Sequence, residues 1–228
     1  MYLTIAIDGP TGAGKSTVAR RVAAELGILY LDTGAMYRAL ALKALRTGVE
    51  VTDAARVEEM LGDTRVDVRY VDGAQATYLD DEDVSLAIRE HRVSEAASAI
   101  SQLAAVRRAL VAIQRDIAGG RDLVMDGRDI GTHVLPGASL KVFLTASPER
   151  RARRRYDELV AKGQSVEYET VLSDLTARDE RDSTRAESPL RVAQDAMVVD
   201  SSDMDIDEVV QTIVSESNVR RFGKEAPR

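Results

Sequence analysis

The sequence predicts an α/β fold with a five-stranded parallel sheet and helices on both of its faces. Short apolar runs typical of buried strands alternate along the 228 residues with segments of helical periodicity. Hydrophobic residues make up 44% of the chain and charged residues 30%, which is typical of a protein with a packed core. The length leaves room for lobes attached to that core.

The first strand is expected at Leu3–Ile7, an apolar run that leads into a glycine-rich turn. A helix is predicted from Lys15 to Leu26, because Gly27 can adopt the left-handed conformation that ends many helices. The next short strand is expected at Ile28–Leu31. These elements form the strand-helix-strand unit from which parallel sheets are built.

Thr33 is expected to cap the following helix, which Gly48 ends. Three later apolar runs, bounded by Gly, Pro, Asp or Ser, complete the sheet: Leu123–Met125, Leu140–Leu144 and Ala196–Val199.

Two segments interrupt this pattern. Residues 65–80 alternate apolar and polar side chains and turn at Asp72-Gly73, which predicts a β-hairpin insert. Residues 148–185 are highly charged and helical, and Gly163 divides them into two helices that are too polar for a core element. We expect this segment to be a mobile lobe, and we expect the end of the chain, from Ser217, to fray.

Composition excludes several classes of function. The chain has no cysteine, and its histidines, His91 and His133, lie too far apart to form a histidine-rich metal site. The net charge of −7 argues against a general nucleic-acid binder, although arginines cluster locally at residues 150–155. The sequence has no run of 18 apolar residues and no secretory signal pattern, so we expect a cytoplasmic protein without a membrane anchor.

The strongest chemical signal is a glycine-rich sequence between the first strand and the first helix. It fits the pattern G-x-x-x-x-G-K-[ST], whose backbone N–H groups bind phosphate while the lysine reaches the β and γ phosphates of a nucleotide. The hydroxyl of Ser16 can bind Mg²⁺. We therefore assign nucleotide binding to Gly9, Pro10, Thr11, Gly12, Ala13, Gly14, Lys15, Ser16 and Thr17.

Asp126 directly follows the apolar run of a neighbouring strand, where a second metal group is expected. It could hold Mg²⁺ through water, although an aspartate at a strand-terminal turn is also a common structural feature. A guanine-specific switch would need an Asn-Lys-x-Asp type motif, and the only asparagine is Asn218 near the end of the chain. A small phosphotransferase is therefore favoured.

Several ordered segments make the sequence resemble the bacterial cytidylate kinases over about residues 3–212. They are "IDGPTGAGKST", "LDTGAMYR", "DVSLAIR", "AAS", "VR", "DGRDIGT" and "RDERDSTRAESPL", in this order. The resemblance implies a nucleoside monophosphate kinase fold that transfers phosphate from ATP, with Mg²⁺, to CMP or dCMP. A kinase for another acceptor, such as UMP or AMP, and more distantly a nucleotide-gated RNA-binding protein, are the alternatives.

The resemblance also implies site residues. Asp129, Arg107 and Ser98 correspond to the residues that read cytosine, and a carboxylate there would reject uracil, whose oxygen offers no donor. The acceptor-site segment corresponds to Thr33, Tyr37 and Arg38. The CMP phosphate ligands correspond to Arg38, Arg128, Arg178 and Arg185, and Asp182 contacts the ribose; Asp126 is assigned to the same acceptor site.

Lys15, Arg128, Arg154 and Arg185 are expected to stabilise the transition state, because phosphoryl transfer depends on alignment and charge neutralisation. In the lid, Arg151, Arg154 and Arg155 are expected to close over ATP. Arg178, Asp182 and Arg185 are spaced to share one face of a helix, whereas Glu180 and Arg181 point to solvent.

We expect a monomer with a core, two lobes and a tail. The core comprises residues 1–34, 104–147 and 186–217, and the acceptor-binding lobe comprises residues 35–103, with the insert at about 65–80. The lid comprises residues 148–185 and the tail residues 218–228.

Overall fold

The computed structural model describes residues 2–223 and confirms the predicted α/β fold. Its central sheet has five strands: β1 Thr4–Asp8, β2 Leu29–Asp32, β6 Leu123–Gly127, β7 Leu140–Thr145 and β8 Met197–Asp200. Each strand lies within one or two residues of its predicted position. Their order across the sheet is β2-β6-β1-β7-β8.

The described residues contain eight α-helices. They are α1 Lys15–Leu26, α2 Thr33–Thr47, α3 Ala54–Gly62, α4 His91–Ile100, α5 Ala104–Ala118, α6 Pro148–Ala161, α7 Tyr168–Thr184 and α8 Ile206–Phe222. Gly27 and Gly48 end α1 and α2 in the left-handed conformation, as predicted. Among the residues from 2 to 223, no single helix is long and apolar enough to cross a membrane; α4 and α5 pass that test only as a pair bent by 102°.

The chain divides into two compact units, and the division falls inside β2. The first comprises Met1–Leu29 and Arg121–Arg228, and the second comprises Tyr30–Gly120. The division into core, lobes and tail drawn from the sequence stays a prediction.

In the first unit, β1 lies between β6 and β7 and runs parallel to both. Ile5 pairs with Val124 on one side and Leu140 on the other, and all three side chains are buried. Apolar side chains on both faces of a strand are what a parallel sheet covered by helices requires. The register also places Asp126 beside Ile7, so acidic groups at the ends of β1 and β6 meet at one edge of the sheet.

The charged segment 148–185 forms two helices that Gly163 separates, as predicted, with Gly163 at φ 74°. The expectation that these helices are too polar to form a core is wrong. Both contribute to a small apolar cluster of their own, made of Ala152, Leu159, Val171 and Leu175. The cluster is small, because about half of the positions of α6 and α7 carry charges.

The end of the chain is ordered further than the sequence predicts. Fraying was expected from Ser217, but α8 continues to Phe222. The side chain of Ser217 is buried, and its hydroxyl donates to the carbonyl of Ile213. Arg221 forms an ion pair with Asp122 at 3.0 Å, which attaches this turn to the start of β6. The rest of the predicted tail, residues 224–228, lies outside the described residues.

The second unit contains the predicted hairpin, with β3 at Val66–Val71 and β4 at Ala74–Leu79. Asp72 and Gly73 turn it with φ values of 51° and 77°, the geometry that the Asp-Gly pair favours. A third short strand, β5 at Glu82–Asp83, pairs with β4 and was not predicted.

The expected capping role of Thr33 is wrong. Asp32 is the cap of α2, and its carboxylate accepts a hydrogen bond from the N–H of Ala35 at 3.0 Å. Thr33 is the first helical residue and is buried. Aspartate and threonine both cap helices well, and here the strand ends one residue later than its hydrophobic pattern indicates.

Candidate active site

The glycine-rich turn of the first unit has a backbone that only glycine can supply at its first position. Gly9 has φ 150°, and a Cβ atom there would lie 1.9 Å from the carbonyl oxygen of Leu144 in β7. Gly12 and Gly14 adopt φ values of 77° and 87°. Successive residues of this kind turn backbone N–H groups to one side, where they can bind an anion. The turn therefore has the geometry of a phosphate-binding loop.

Lys15 begins α1 with its side chain buried beneath this loop. Its Nζ donates to the carbonyl oxygen of Pro10 at 2.7 Å. Burial and then the charge of Arg128 lower the pKa of Lys15 to about 7, against the opposing effect of Asp126 and other carboxylates. A bound phosphate would favour the charged form and offer Nζ a stronger acceptor than a carbonyl.

Ser16 and Asp126 lie together, as expected of two residues that share a metal. The hydroxyl of Ser16 donates to a carboxylate oxygen of Asp126 at 2.9 Å. In residues 2–223 there is no cluster of three or more His, Cys, Asp or Glu that could hold a metal alone. One hydroxyl and one carboxylate suit Mg²⁺, which keeps several waters and takes other ligands from substrate phosphates.

A buried charge cluster lies beside the loop in the same unit. Arg128 binds Asp182 at 2.8 Å and donates to the hydroxyl of Thr11 at 2.8 Å. Arg185 lies 3.4 Å from Asp129 and 3.9 Å from Asp182, and its Nε donates to the carbonyl of Ser188 at 2.7 Å. Burying a charge is unfavourable unless it is paired with an opposite charge. The carboxylates of this cluster therefore fix the arginines in positions where they can bind an anion.

The carboxylate of Asp182 is the centre of the cluster. Its burial alone would raise its pKa, but Arg128, followed by Arg178 and Arg185, lowers the pKa below its usual value. Asp182 therefore stays ionised and orients the guanidinium groups around it. Arg178 is one of the charges that lower the pKa of Asp182, and the predicted pairing of these two residues stays a prediction.

The prediction that Arg178, Asp182 and Arg185 share a helix face holds only for the first two residues. α7 ends at Thr184, and Arg185 has the extended values φ −59° and ψ 143°. Its side chain nevertheless reaches the same cluster, because the chain turns back and Leu190 donates its N–H to the carbonyl of Asp182.

Asp8, at the end of β1, was not identified from the sequence as a site residue. Its two carboxylate oxygens accept the N–H groups of Ile130 at 2.8 Å and Gly131 at 2.7 Å. These residues begin a single π-helical turn, Ile130–Val134, directly after Asp129. Asp8 therefore fixes the backbone that presents Asp129.

Asp8 gives the fold a pH dependence that can be measured. Burial raises its pKa from 3.8 to about 6, and Asp129 adds to this rise, while the bonds from Gly131 and Ile130 oppose it. Because the folded-state pKa is above the unfolded value, the stability that Asp8 contributes is complete below pH 3.8 and is lost as the pH rises to about 6. We expect the free energy of unfolding of the natural protein, relative to Asp8→Asn, to fall by about 3 kcal/mol over this window.

Chemical denaturation of the natural protein and of Asp8→Asn, at several values between roughly pH 4 and pH 7, tests this expectation because the Asp8 pKa shift affects stability in this range. The asparagine variant is the control, since it shares every other titrating group. A difference in stability that does not change with pH would contradict the raised pKa.

The three predicted lid arginines lie on α6 in different environments. Arg151 is buried and donates to the carbonyls of Ala146 and Thr11, each at 2.9 Å. Arg154 donates to the carbonyl and hydroxyl oxygens of Ser201. Arg155 forms an exposed ion pair with Glu158 at 2.8 Å.

Arg154 and Arg155 also line a groove of about 470 Å³ beside the phosphate-binding loop. Its other wall comes from the start of α8 and the preceding turn, a region without a sequence motif. Apolar side chains line the groove as well: Val18 of α1, and Met204, Ile206 and Val209 around the start of α8. A groove of this size suits a small organic ligand.

The second unit holds five of the residues assigned to the acceptor site: Thr33, Tyr37, Arg38, Ser98 and Arg107. Arg38 forms an ion pair with Asp32 at 2.8 Å, and the guanidinium of Arg107 lies 5.8 Å from the ring centre of Tyr37. Ser98 and Arg107 are both buried. In the part of the chain that the structure describes, the Ser98 hydroxyl has no hydrogen-bond partner. A buried polar atom of this kind is expected where a ligand completes the site.

Gln75, on the hairpin insert, was also missed by sequence reasoning. Its side-chain amide accepts the N–H of Asp32 at 2.7 Å and donates to the Asp32 carbonyl at 3.2 Å. It thereby fixes the residue that caps α2 and pairs with Arg38. A single glutamine in an alternating strand carries no signal of this role.

The sheet and its phosphate-binding loop, with Lys15 beneath the loop and paired arginines beside it, define a P-loop kinase. The family model described as "Cytidylate kinase" matches residues 5–219. The chain belongs to the cytidylate kinase family.

Curated cytidylate kinases can be aligned with almost the whole chain. A cytidylate kinase of Mycobacterium leprae is 52% identical, covering 91% of this chain and 92% of that protein. One from Pelotomaculum thermopropionicum is 50% identical, covering 96% and 98%. A solved structure of an uncharacterized protein from Eubacterium ventriosum shares the fold at 13% identity and a TM-score of 0.53, covering 95% of this chain and 98% of that one.

Proposed function

We propose that this protein transfers the terminal phosphoryl group of ATP to CMP and dCMP, giving ADP and the diphosphate. The observation that carries the proposal is the cluster of buried Lys15, half-buried Arg128 and buried Arg185 at the phosphate-binding loop, in a chain of the cytidylate kinase family. Family membership supports CMP as the acceptor, and the charges of the cluster support phosphoryl transfer as the reaction.

The transfer needs alignment and charge neutralisation more than a base, because the acceptor phosphate is already an anion. The loop amides and Lys15 would bind the β and γ phosphates of ATP. Arg128 and Arg185, held by Asp182, would stabilise the charge that develops on the transferred group, with Arg178 on the acceptor side. The side chains of the cluster are already oriented, so little reorganisation is needed when the substrates bind.

Mg²⁺ is the expected metal, and Ser16 and Asp126 would hold it, Asp126 through water. Bound there, Mg²⁺ would neutralise charge on the phosphates of ATP. The resting contact between the Ser16 hydroxyl and Asp126 keeps both oxygen ligands at one point of the loop.

We assign the groove beside the loop to the adenine of ATP. Arg154 is fixed to Ser201, and the hydroxyl of Ser201 donates to the carbonyl of Thr145 at 3.0 Å, so the position of Arg154 depends on the end of β7. A guanidinium plane above apolar residues can stack on a purine ring.

Arg154→Gln combined with Arg155→Gln is expected to lower kcat/KM for ATP by about tenfold or more, because two cationic contacts to the nucleotide are lost. Steady-state kinetics at saturating CMP measures this effect. Arg150→Gln is the matched control, since Arg150 is an exposed arginine on the same helix that pairs with Asp203. Full activity of the double variant together with lost, salt-dependent RNA retention would instead favour RNA binding.

We propose that Ser98, Arg107 and Asp129 are the residues that read cytosine. The buried Ser98 hydroxyl can pair with a base, and Arg107 can donate to its acceptors. The monomeric state and the cytoplasmic location stay predictions.

The experiment that tests this function is an acceptor panel. ADP release from ATP is coupled to an optical assay with CMP, dCMP, UMP, AMP and GMP. We expect CMP and dCMP to be the best acceptors by kcat/KM. A clear preference for UMP or AMP would overturn the assigned acceptor while leaving the kinase class intact.

A further inference from the structure

Thr11, at the tip of the phosphate-binding loop, is held by side chains at each of its polar groups. Its N–H donates to the carboxylate of Asp179 at 3.0 Å, and its carbonyl accepts from Arg151 at 2.9 Å. Its hydroxyl accepts from Arg128 at 2.8 Å. The loop is thus attached to α6 through Arg151 and to α7 through Asp179.

Asp179 and Arg151 also form an ion pair with one another. The side chain of Arg151 is 6% exposed and that of Asp179 is 18% exposed, so the pair is shielded from water. A lone carboxylate beside a phosphate-binding loop would repel the phosphate, and Arg151 compensates that charge. The carboxylate can therefore orient the loop without weakening anion binding.

The packing of α6 supports the same contact. A Cβ atom on Gly12 would lie 3.3 Å from Cβ of Arg151, so the helix backbone lies directly against the loop. Arg151 also donates from Nε to the carbonyl of Ala146, which fixes the guanidinium from the other side.

Nothing in the phosphate chemistry requires the N–H of Thr11 to face a carboxylate. This contact directs that N–H away from the anion site and leaves the amides of the following residues to bind phosphate. We propose that Asp179, with Arg151, is a positioning residue that sets the curvature of the loop for ATP. The inference rests on the proposed function, since it assigns the residues that support the ATP side of that site.

The test is a comparison of Michaelis constants and of nucleotide binding. Asp179→Ala is expected to raise KM for ATP by about tenfold or more, because the Thr11 N–H loses a charged acceptor and Arg151 loses its partner. KM for CMP should change by less than about twofold. Affinity for a fluorescent ADP analogue should fall by the same factor as KM for ATP rises; it is measured without CMP, so it remains informative if the assigned acceptor is wrong.

Glu180→Gln is the matched control, because Glu180 is an exposed acid one residue further along α7. A double-mutant cycle with Arg151→Ala should show that the two residues act as one unit, with the double variant about as impaired as the more impaired single variant. Circular dichroism and thermal melting confirm that each variant is folded.

Asp179→Asn repeats the test with a milder change if Asp179→Ala does not fold. It keeps an acceptor for the Thr11 N–H but loses the charge that pairs with Arg151, so we expect KM for ATP to rise by about threefold or more. A folded variant whose ADP affinity and KM for ATP equal those of the natural protein would overturn the proposal. Equal increases in KM for ATP and CMP would also overturn it, since they indicate a general structural role.

Discussion

Replacing Lys15 with alanine is expected to lower kcat for phosphoryl transfer by about 10²- to 10³-fold or more. Under the proposed function the variant loses the lysine that binds the β and γ phosphates, and we expect no neighbouring arginine to replace it because Arg128 and Arg185 are bound to Asp182 and Asp129. The measurement is single-turnover transfer from ATP to CMP at saturating concentrations of both.

The fold should survive this change. Lys15 forms one hydrogen bond within the loop, to Pro10, and its buried charge is unfavourable for the folded state. We therefore expect a thermal midpoint no lower than that of the natural protein. Lys15→Arg is the second variant, since it retains charge but not the compact ammonium group. Activity near that of the natural protein in folded Lys15→Ala would contradict the kinase mechanism.

Asp129→Ala is expected to reduce the preference for CMP over UMP, measured as a ratio of kcat/KM values, by about 10- to 100-fold. A carboxylate accepts a hydrogen bond from the amino group of cytosine. With uracil it faces an oxygen instead, and two unpaired acceptors disfavour UMP binding. Removing the carboxylate removes this unfavourable contact, so kcat/KM for UMP should rise relative to that for CMP even as the rates with both acceptors fall.

The control for Asp129 is Asp174→Ala, an exposed acid on α7. Arg185 loses one ion-pair partner in Asp129→Ala, which lowers the rates with both acceptors, so the ratio and not the rate is the informative quantity. An unchanged ratio would remove Asp129 from the base site.

Local signals explain which elements could be predicted from the sequence. Gly27, Gly48 and Asp72-Gly73 mark helix ends and a hairpin turn because their backbone conformations favour glycine or aspartate. The helices α4 and α5 were not predicted. Their first turns follow Glu90 and Leu103, neither of which makes a side-chain cap, so only tertiary packing defines where they begin.

In the candidate site, too, local motifs predict some residues, whereas others are defined only by contacts between distant parts of the chain. The loop and Asp126 follow motifs in which neighbouring residues carry the chemistry, and the structure places Ser16 against Asp126. Asp8, Gln75 and Asp179 bind distant backbone groups, at Gly131, Asp32 and Thr11. Such contacts join residues more than forty positions apart and leave no local pattern. In the sequence, Asp179 is only one more charge in a charged helix.

The most direct measurement follows the γ-phosphoryl group itself. The protein is incubated with CMP, Mg²⁺ and ATP labelled at the γ-phosphate, and the products are separated. The proposed function predicts that the label appears in CDP, in an amount equal to the ADP formed. Label released only as inorganic phosphate, or found on another acceptor in preference to CMP, would contradict it.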